Sequence, residues 1–296
     1  MSSPWLPLKR VLVRSPDVEV RSETEVKRWG YQRARNLTLA RSQHAHFVAH
    51  LRAEGAVVEE HRAALEGRAD ACYVCDPALM TPRGAIILRM GKELRSGECA
   101  AMQATLSALK ISIHGTIAAP GTVEGGDCLW LDESTLAVGE GYRTNPEGIR
   151  QLKALLPETD VVTIQLVHRN GPDECLHLQS LLSFVDRDAA VIHMALAPVR
   201  LIKALRARRV TLIPVTEKAF DRLGTNILCT GPRRVVLAAG NPSVVAALRH
   251  HGVHVTEIDA QDLMWVGTGG PTCLTLPLDR EGWVIPGSDG AGKGSG

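Results

Sequence analysis

The sequence predicts an α/β protein built from a repeated supersecondary unit of propeller or array type, and three observations carry that prediction. Short apolar or β-branched runs come in pairs around Gly, Pro or Asp turns, the pattern of hairpins. Segments with apolar residues at i, i+3, i+4 spacing follow most pairs, the pattern of helices. A polar residue opens each strand group: Asp76, Asp127, His177, Asn226 and Cys273 stand 51, 50, 49 and 47 positions apart. A period this constant is expected when one unit recurs and buries its apolar face against the next copy. Each unit mixes strands with a helix, so an all-β propeller does not fit. A parallel sheet fits poorly, because it takes one strand per helix rather than a hairpin. An α+β domain with accidental spacing is the alternative at this point.

The elements follow in order. Residues 10–13 form the first strand run, and 37–54 have helical periodicity. Residues 72–74 and 84–90 form the second strand group, around the Thr81-Pro82-Arg83-Gly84 turn, with a helix over 93–109. Residues 128–131 and 135–138 flank Asp132-Glu133-Ser134 and lead to a helix over 146–156. The fourth group is 181–185 and 189–194, with a helix over 198–208; the fifth is 227–230 and 234–238, with a helix over 241–251. Pro146, Pro198 and Pro242 stand at or near the helix starts, where a missing N–H costs nothing. A final run spans 273–278. One domain over 1–286 is expected, with the small, polar GSDGAGKGSG segment at 287–296 as a flexible tail.

Composition narrows the function classes. At 296 residues, 45% hydrophobic and 22% charged, the chain reads as globular. A net charge of +2 gives no basic excess for nucleic acid, and 4% aromatics disfavours base-stacking platforms. Lys9 and Arg10 break the N-terminal apolar run, so no signal peptide is expected, and no apolar stretch approaches the ~18 residues of a membrane span. Seven cysteines without an export signal read as reduced thiols, hence a cytoplasmic protein.

Several residues could carry chemistry. Cys273, after Gly269-Gly270-Pro271-Thr272 and opening a strand run, would sit at a tight turn where backbone N–H groups favour a thiolate; a buried thiol packed as a small hydrophobe is the plain alternative. Cys72-Tyr73-Val74-Cys75 has CxxC spacing, but no second pair follows and both lie on an expected strand, so no metal site is expected. His177 stands out among eleven histidines by falling on the fifty-residue register. In Glu124-Gly125-Gly126-Asp127, two glycines would let the backbone turn sharply while both acids stay close, either to orient an imidazole or grip a cation, or simply as a polar turn. Asp76 precedes Pro77, which fixes an extended setting. In a closed ring these positions converge on the axis, and a carboxylate-lined pocket with a thiolate suits a planar, cationic, electrophilic carbon such as that of a guanidinium group.

These segments resemble those of the guanidino-group-modifying enzymes, the penteins, and are most similar to the dimethylarginine dimethylaminohydrolase family. The similarity lies in TVEGGDCL at 122–129 followed by VGEGYRTN at 138–145, in LHLQS at 176–180, in GPTCLT at 270–275, and in the spacing of Asp70 and Asp76. The resemblance implies a five-bladed α/β propeller of ββαβ-type units around a pseudo-fivefold axis. It implies a hydrolase acting at the guanidinium carbon of (methylated) arginine through a covalent cysteine intermediate, releasing citrulline and an amine. By position it makes Cys273 the nucleophile and His177 the acid and base. Glu124 would orient His177, and Asp76 would bind the guanidinium nitrogens. Arg95 and Arg143 would hold the α-carboxylate, and Asp70 the α-amino group. Neither a metal nor an organic cofactor is expected; the partner is a small guanidino molecule, not nucleic acid or membrane, with a homodimer admitted. Trp29 and Tyr31, in the 22–31 segment, are candidates for a lid. Two residues depart from the pattern: Cys75 stands where the family has a Glu, and Gln179 where sister deiminases have an acid. Amidine transfer, arginine dihydrolysis or deimination, and a non-catalytic binding propeller are the alternatives.

Overall fold

The computed structural model describes residues 3–172, 174 and 176–282. The chain opens with β1 (Leu8–Val13), passes through α1 (Glu23–Trp29) and α2 (Leu37–Ala53), and returns in β2 (Val57–Glu60), parallel to β1. Four similar units follow. The first contains the antiparallel hairpin β3 (Ala78–Thr81) and β4 (Gly84–Ile87), then α3 (Glu98–Ala108) and β5 (Ile113–Thr116), parallel to β4. Next come β6 (Cys128–Trp130), β7 (Thr135–Glu140), α4 (Pro146–Leu155) and β8 (Asp160–Gln165). The short α5 (Leu178–Leu181) leads to β9 (Leu182–Asp186), β10 (Ala189–Ile192), α6 (Val199–Ala207) and β11 (Thr211–Pro214). Another short helix, α7 (Glu217–Phe220), precedes β12 (Leu228–Gly231), β13 (Arg234–Ala238), α8 (Pro242–His250) and β14 (His254–Ile258). The last strand, β15 (Leu276–Arg280), pairs antiparallel with β1 and completes the first sheet. Five three-stranded sheets result among the described residues, and the fold is a five-bladed α/β propeller of ββαβ units. Its ring is closed by joining the two ends of the chain in one blade.

Local sequence explains the units. In α4, Asn145 caps the helix by accepting from Gly148 N at 2.8 Å, Pro146 occupies the first turn, and Ile149 and Leu152 bury one face against Leu136 and Val138 of β7. Each such fully buried aliphatic side chain stabilises by about 1.5–3 kcal/mol. The fifty-residue register has its own structural meaning, because its side chains link neighbouring blades. Asp76 Oδ1 accepts from Gly126 N at 2.9 Å, Asp127 Oδ1 from Leu178 N at 3.0 Å, and Asn226 Oδ1 from Thr272 N at 3.1 Å. Three of the five register residues thus bond forward to the next blade, while His177 and Cys273 bond back to Glu124 and Asn226 of the preceding one.

Several expected elements differ. The hairpin-plus-helix unit carries a third strand, and β2, β5, β8, β11 and β14 lacked a continuous apolar run because each is partly exposed. Residues 72–74 are not a strand: Ala69–Cys72 is a 3-10 turn, and a further turn carries Asp76. The helix expected from residue 93 begins at Glu98, because Gly97 in the left-handed conformation (φ 90°) separates it from a 3-10 turn at Glu93–Arg95. Cys273 lies in a turn three residues before β15 rather than opening the strand. The 22–31 segment contains α1, with a capping box between Ser22 and Glu25. Residues 283–286 of the expected domain and the 287–296 tail lie outside the described residues.

Candidate active site

Glu124, fully buried, is gripped from several directions. Its Oε1 accepts from the backbone N–H groups of Gly91 and Lys92, both at 3.0 Å, and its Oε2 meets His177 Nε2 at 2.8 Å and Arg143 Nη1 at 3.3 Å. Burial alone would push this carboxyl up, but the His177 hydrogen bond and charge, with Arg143 and Arg95, hold it well below the usual carboxylate range. An ionised Glu124 only accepts, so His177 Nε2 carries a proton and the ring orientation is set.

The two glycines lie in the expected tight turn, a 3-10 turn over Gly125–Asp127 in which Asp127 N donates to the Glu124 carbonyl at 3.0 Å; neither needs positive φ, and both also serve packing. A Cβ on Gly125 would lie 2.0 Å from the Cys75 carbonyl oxygen, and one on Gly126 would lie 2.3 Å from His177 Nδ1. They let the Cys75–Asp76 backbone and the imidazole approach. Asp127 is a structural member: its Oδ2 accepts from Thr144 Oγ1 at 2.6 Å, and burial pushes its carboxyl up to about 6. The RTN segment therefore has three separate tasks. Arg143 faces Glu124, Thr144 bonds to Asp127, and Asn145 caps α4.

Asp76 Oδ1 lies 3.8 Å from His177 Nδ1, and its Oδ2 accepts from Arg95 Nη1 at 2.5 Å. Arg95 is itself buried and also donates to both oxygens of Glu98 and to the Tyr73 carbonyl. Asp76, Glu124 and His177 hold donor atoms within 4.8 Å of one another, a spacing a metal ion could use. Both carboxylates, however, already face guanidinium groups, so a cation there would have to displace an ion pair.

Cys273 is half-buried, and its Sγ accepts from Asn226 Nδ2 at 3.0 Å. The Cys75 backbone N–H donates to the Cys273 carbonyl at 3.4 Å, and its side chain lies against Asp76 Oδ1 at 3.3 Å. Hydrogen bonding from the Cys75 thiol draws the Cys273 thiol below its ordinary value; burial and the Asp76 charge oppose this, while Asn226 and His177 support it. Cys75 is pushed well above the usual thiol range by the same hydrogen bond and by burial, so of the two thiols Cys273 is the one that ionises more readily. Cys72, by contrast, faces the Ala69 carbonyl, and burial raises it to about 11; the CxxC pair is not a shared site.

One cavity of about 350 Å³ joins these groups, with Cys273, His177, Asp76, Arg95, Arg143 and Asp70 among its lining. Its volume is that of a small-molecule site. Thus the structure brings six of the seven predicted site residues to one cavity wall, with Glu124 directly behind His177. Trp29 is on the wall as well, whereas Tyr31 is buried behind it, its hydroxyl donating to the Ala69 carbonyl. Gln179 turns away from the cavity, donating to the Gly125 and Cys128 carbonyls. Sequence reasoning missed Lys92, whose Nζ lies 2.6 Å from Asp70 Oδ2; a lysine between Gly91 and Glu93 carries no signal distinguishing it from a solvated charge. Asn226 was visible only as a register position, and its role beside the thiol was not.

Comparisons with known proteins bear on the family and the fold. A family model described as Arginine deiminase matches residues 65–209 and 196–280. The N(G),N(G)-dimethylarginine dimethylaminohydrolase of Pseudomonas aeruginosa is 29% identical over 211 residues, covering 70% of this chain and 76% of the relative. Among solved structures, a cysteine-to-serine mutant of the Pseudomonas aeruginosa enzyme complexed with citrulline superposes with a TM-score of 0.74 at 24% identity, over 91% of this chain and 99% of that one. The substrate-bound N-terminal domain of a cyanobacterial arginine dihydrolase gives a TM-score of 0.79 at 18% identity, over 92% and 98%.

Proposed function

This chain belongs to the arginine deiminase family, and from that premise we propose that it is a hydrolase acting at the guanidinium carbon of (methylated) arginine, releasing citrulline and an amine. The observation that carries the reading is a thiol and an acid-oriented imidazole lining one cavity beside a buried carboxylate.

In this reading Asp76 holds the guanidinium nitrogens and presents the carbon to Cys273. The thiolate attacks, forming the C–S bond, and the C–N bond to the amine breaks as His177 delivers a proton to the leaving nitrogen. Nδ1 is the ring nitrogen that exchanges protons, because Nε2 is engaged with Glu124. The covalent S-alkylthiouronium is then hydrolysed. His177 takes one proton from water, the oxygen adds to the carbon, and the C–S bond breaks to restore the thiolate as the second water proton passes to solvent, where the released amine takes it up. Arg143 and Arg95 supply positive field for the α-carboxylate, and Asp70 takes the α-ammonium. Trp29 closes over the cavity as a lid, and the protein works in the cytoplasm, where its thiols stay reduced.

Incubation of the purified protein with asymmetric dimethylarginine, monomethylarginine and arginine tests this, with citrulline as the readout. Citrulline from at least one, abolished by Cys273→Ser, is expected. Turnover of none would overturn the reading, and ornithine in its place would make the enzyme a dihydrolase.

A further inference from the structure

We propose that Lys92 and Asp70 together form the receptor for the substrate's α-amino-acid head, with Lys92 the residue that selects for the α-carboxylate. The inference rests on the reading of the cavity as a guanidino amino-acid site and names the specificity residue within it. Lys92 is among the cavity's lining residues, with its side chain 16% exposed. Its ammonium sits between Asp70 Oδ2 at 2.6 Å and the Trp29 carbonyl at 2.9 Å, and 5.1 Å from the centre of the Trp29 ring. These contacts hold Lys92 at the very carboxylate that would otherwise receive the substrate's ammonium.

Arg95 cannot readily make a direct carboxylate grip. Its Nε and Nη2 donate to Glu98 and Tyr73, its Nη1 donates to Asp76, and its side chain is 3% exposed. Turning it toward a ligand would strand Glu98, which is still more deeply buried, without its partner, an expensive state for a charge. Lys92 has the opposite character: a flexible four-carbon stem ending in a compact charge that can change partner.

The charges then match. The resting pair is neutral, and so is an α-amino-acid head at neutral pH. On binding, the substrate ammonium replaces Lys92 on Asp70, and the displaced Lys92 Nζ takes the substrate carboxylate, leaving an alternating set of two positive and two negative groups. A guanidino amine without the carboxylate would instead set its ammonium beside a displaced Lys92 with no anion to share. The site is therefore built to admit guanidino amino acids and to reject their decarboxylated counterparts.

Calorimetric binding of L-citrulline and of its decarboxylated analogue, N-carbamoylputrescine, to the wild-type protein, Lys92→Met and Lys92→Arg tests the inference without requiring turnover. Lys92→Met is expected to weaken citrulline about 10- to 100-fold, the range of a lost charge-assisted contact, while leaving the analogue unchanged or tighter. Lys92→Arg should recover most of the loss, and melting curves should show all three proteins folded. Equal weakening of both ligands, no weakening of citrulline, or no citrulline binding by the wild-type protein would overturn it. A failure confined to the turnover assay above would fall on the proposed reaction instead.

Discussion

Cys75 shows how much a single side chain beside the proposed nucleophile, Cys273, can decide. Its thiol lies against Asp76 Oδ1 and beside Cys273, whose thiol its hydrogen-bonding influence draws below the ordinary value, so removing it makes Cys273 harder to ionise. Because the thiolate is the reactive form, Cys75→Ala should move the acid limb of the kcat/KM–pH profile upward. A hydrogen bond to a charged group of this kind corresponds to about a tenfold loss of kcat/KM below the wild-type limb, with little change above it. A uniform loss at every pH would show that Cys75 only packs. At this scale the sequence was informative about types and less so about environments. Cys273, His177, Glu124 and Asp76 were legible because each lies in a motif or on the register. The pairing of Arg95 with Asp76 and Glu98, and of Lys92 with Asp70, was not, because a charged residue's partner depends on which loops the ring brings together.

At the scale of elements, the segments around the axis are shaped by close approach. Gly126 faces the imidazole, so Gly126→Ala should leave a folded protein whose His177 is displaced by a fraction of an ångström to an ångström. A misplacement of that size costs about 100-fold in kcat. Gly125→Ala meets backbone instead of a movable ring and should cost stability, about 1–3 kcal/mol, seen as a lower melting temperature. The reverse pattern, with Gly126→Ala unfolding and Gly125→Ala inactive but stable, would contradict this assignment. Hairpins and their helices were readable from alternating turns and helical spacing. The third strand of each blade was not, because at the exposed edge of a sheet its apolar side is broken by polar residues.

Across the whole molecule, a period of about fifty residues becomes a ring, and the ring turns distant positions into neighbours. Asn226 and Cys273 meet at 3.0 Å, and His177 and Glu124 meet at 2.8 Å, although 47 and 53 positions separate them in the chain. No described helix is long and apolar enough to cross a membrane. The site is assembled by several blades at once, so its chemistry depends on the ring being closed by β15 against β1. The most direct measurement of the central claim is intact-mass spectrometry with peptide mapping after exposure to a halo-amidine electrophile at neutral pH. One adduct is predicted, located on Cys273, slowed by His177→Ala and prevented by a guanidino substrate. Labelling spread over the other cysteines, with Cys273 unmodified, would contradict it.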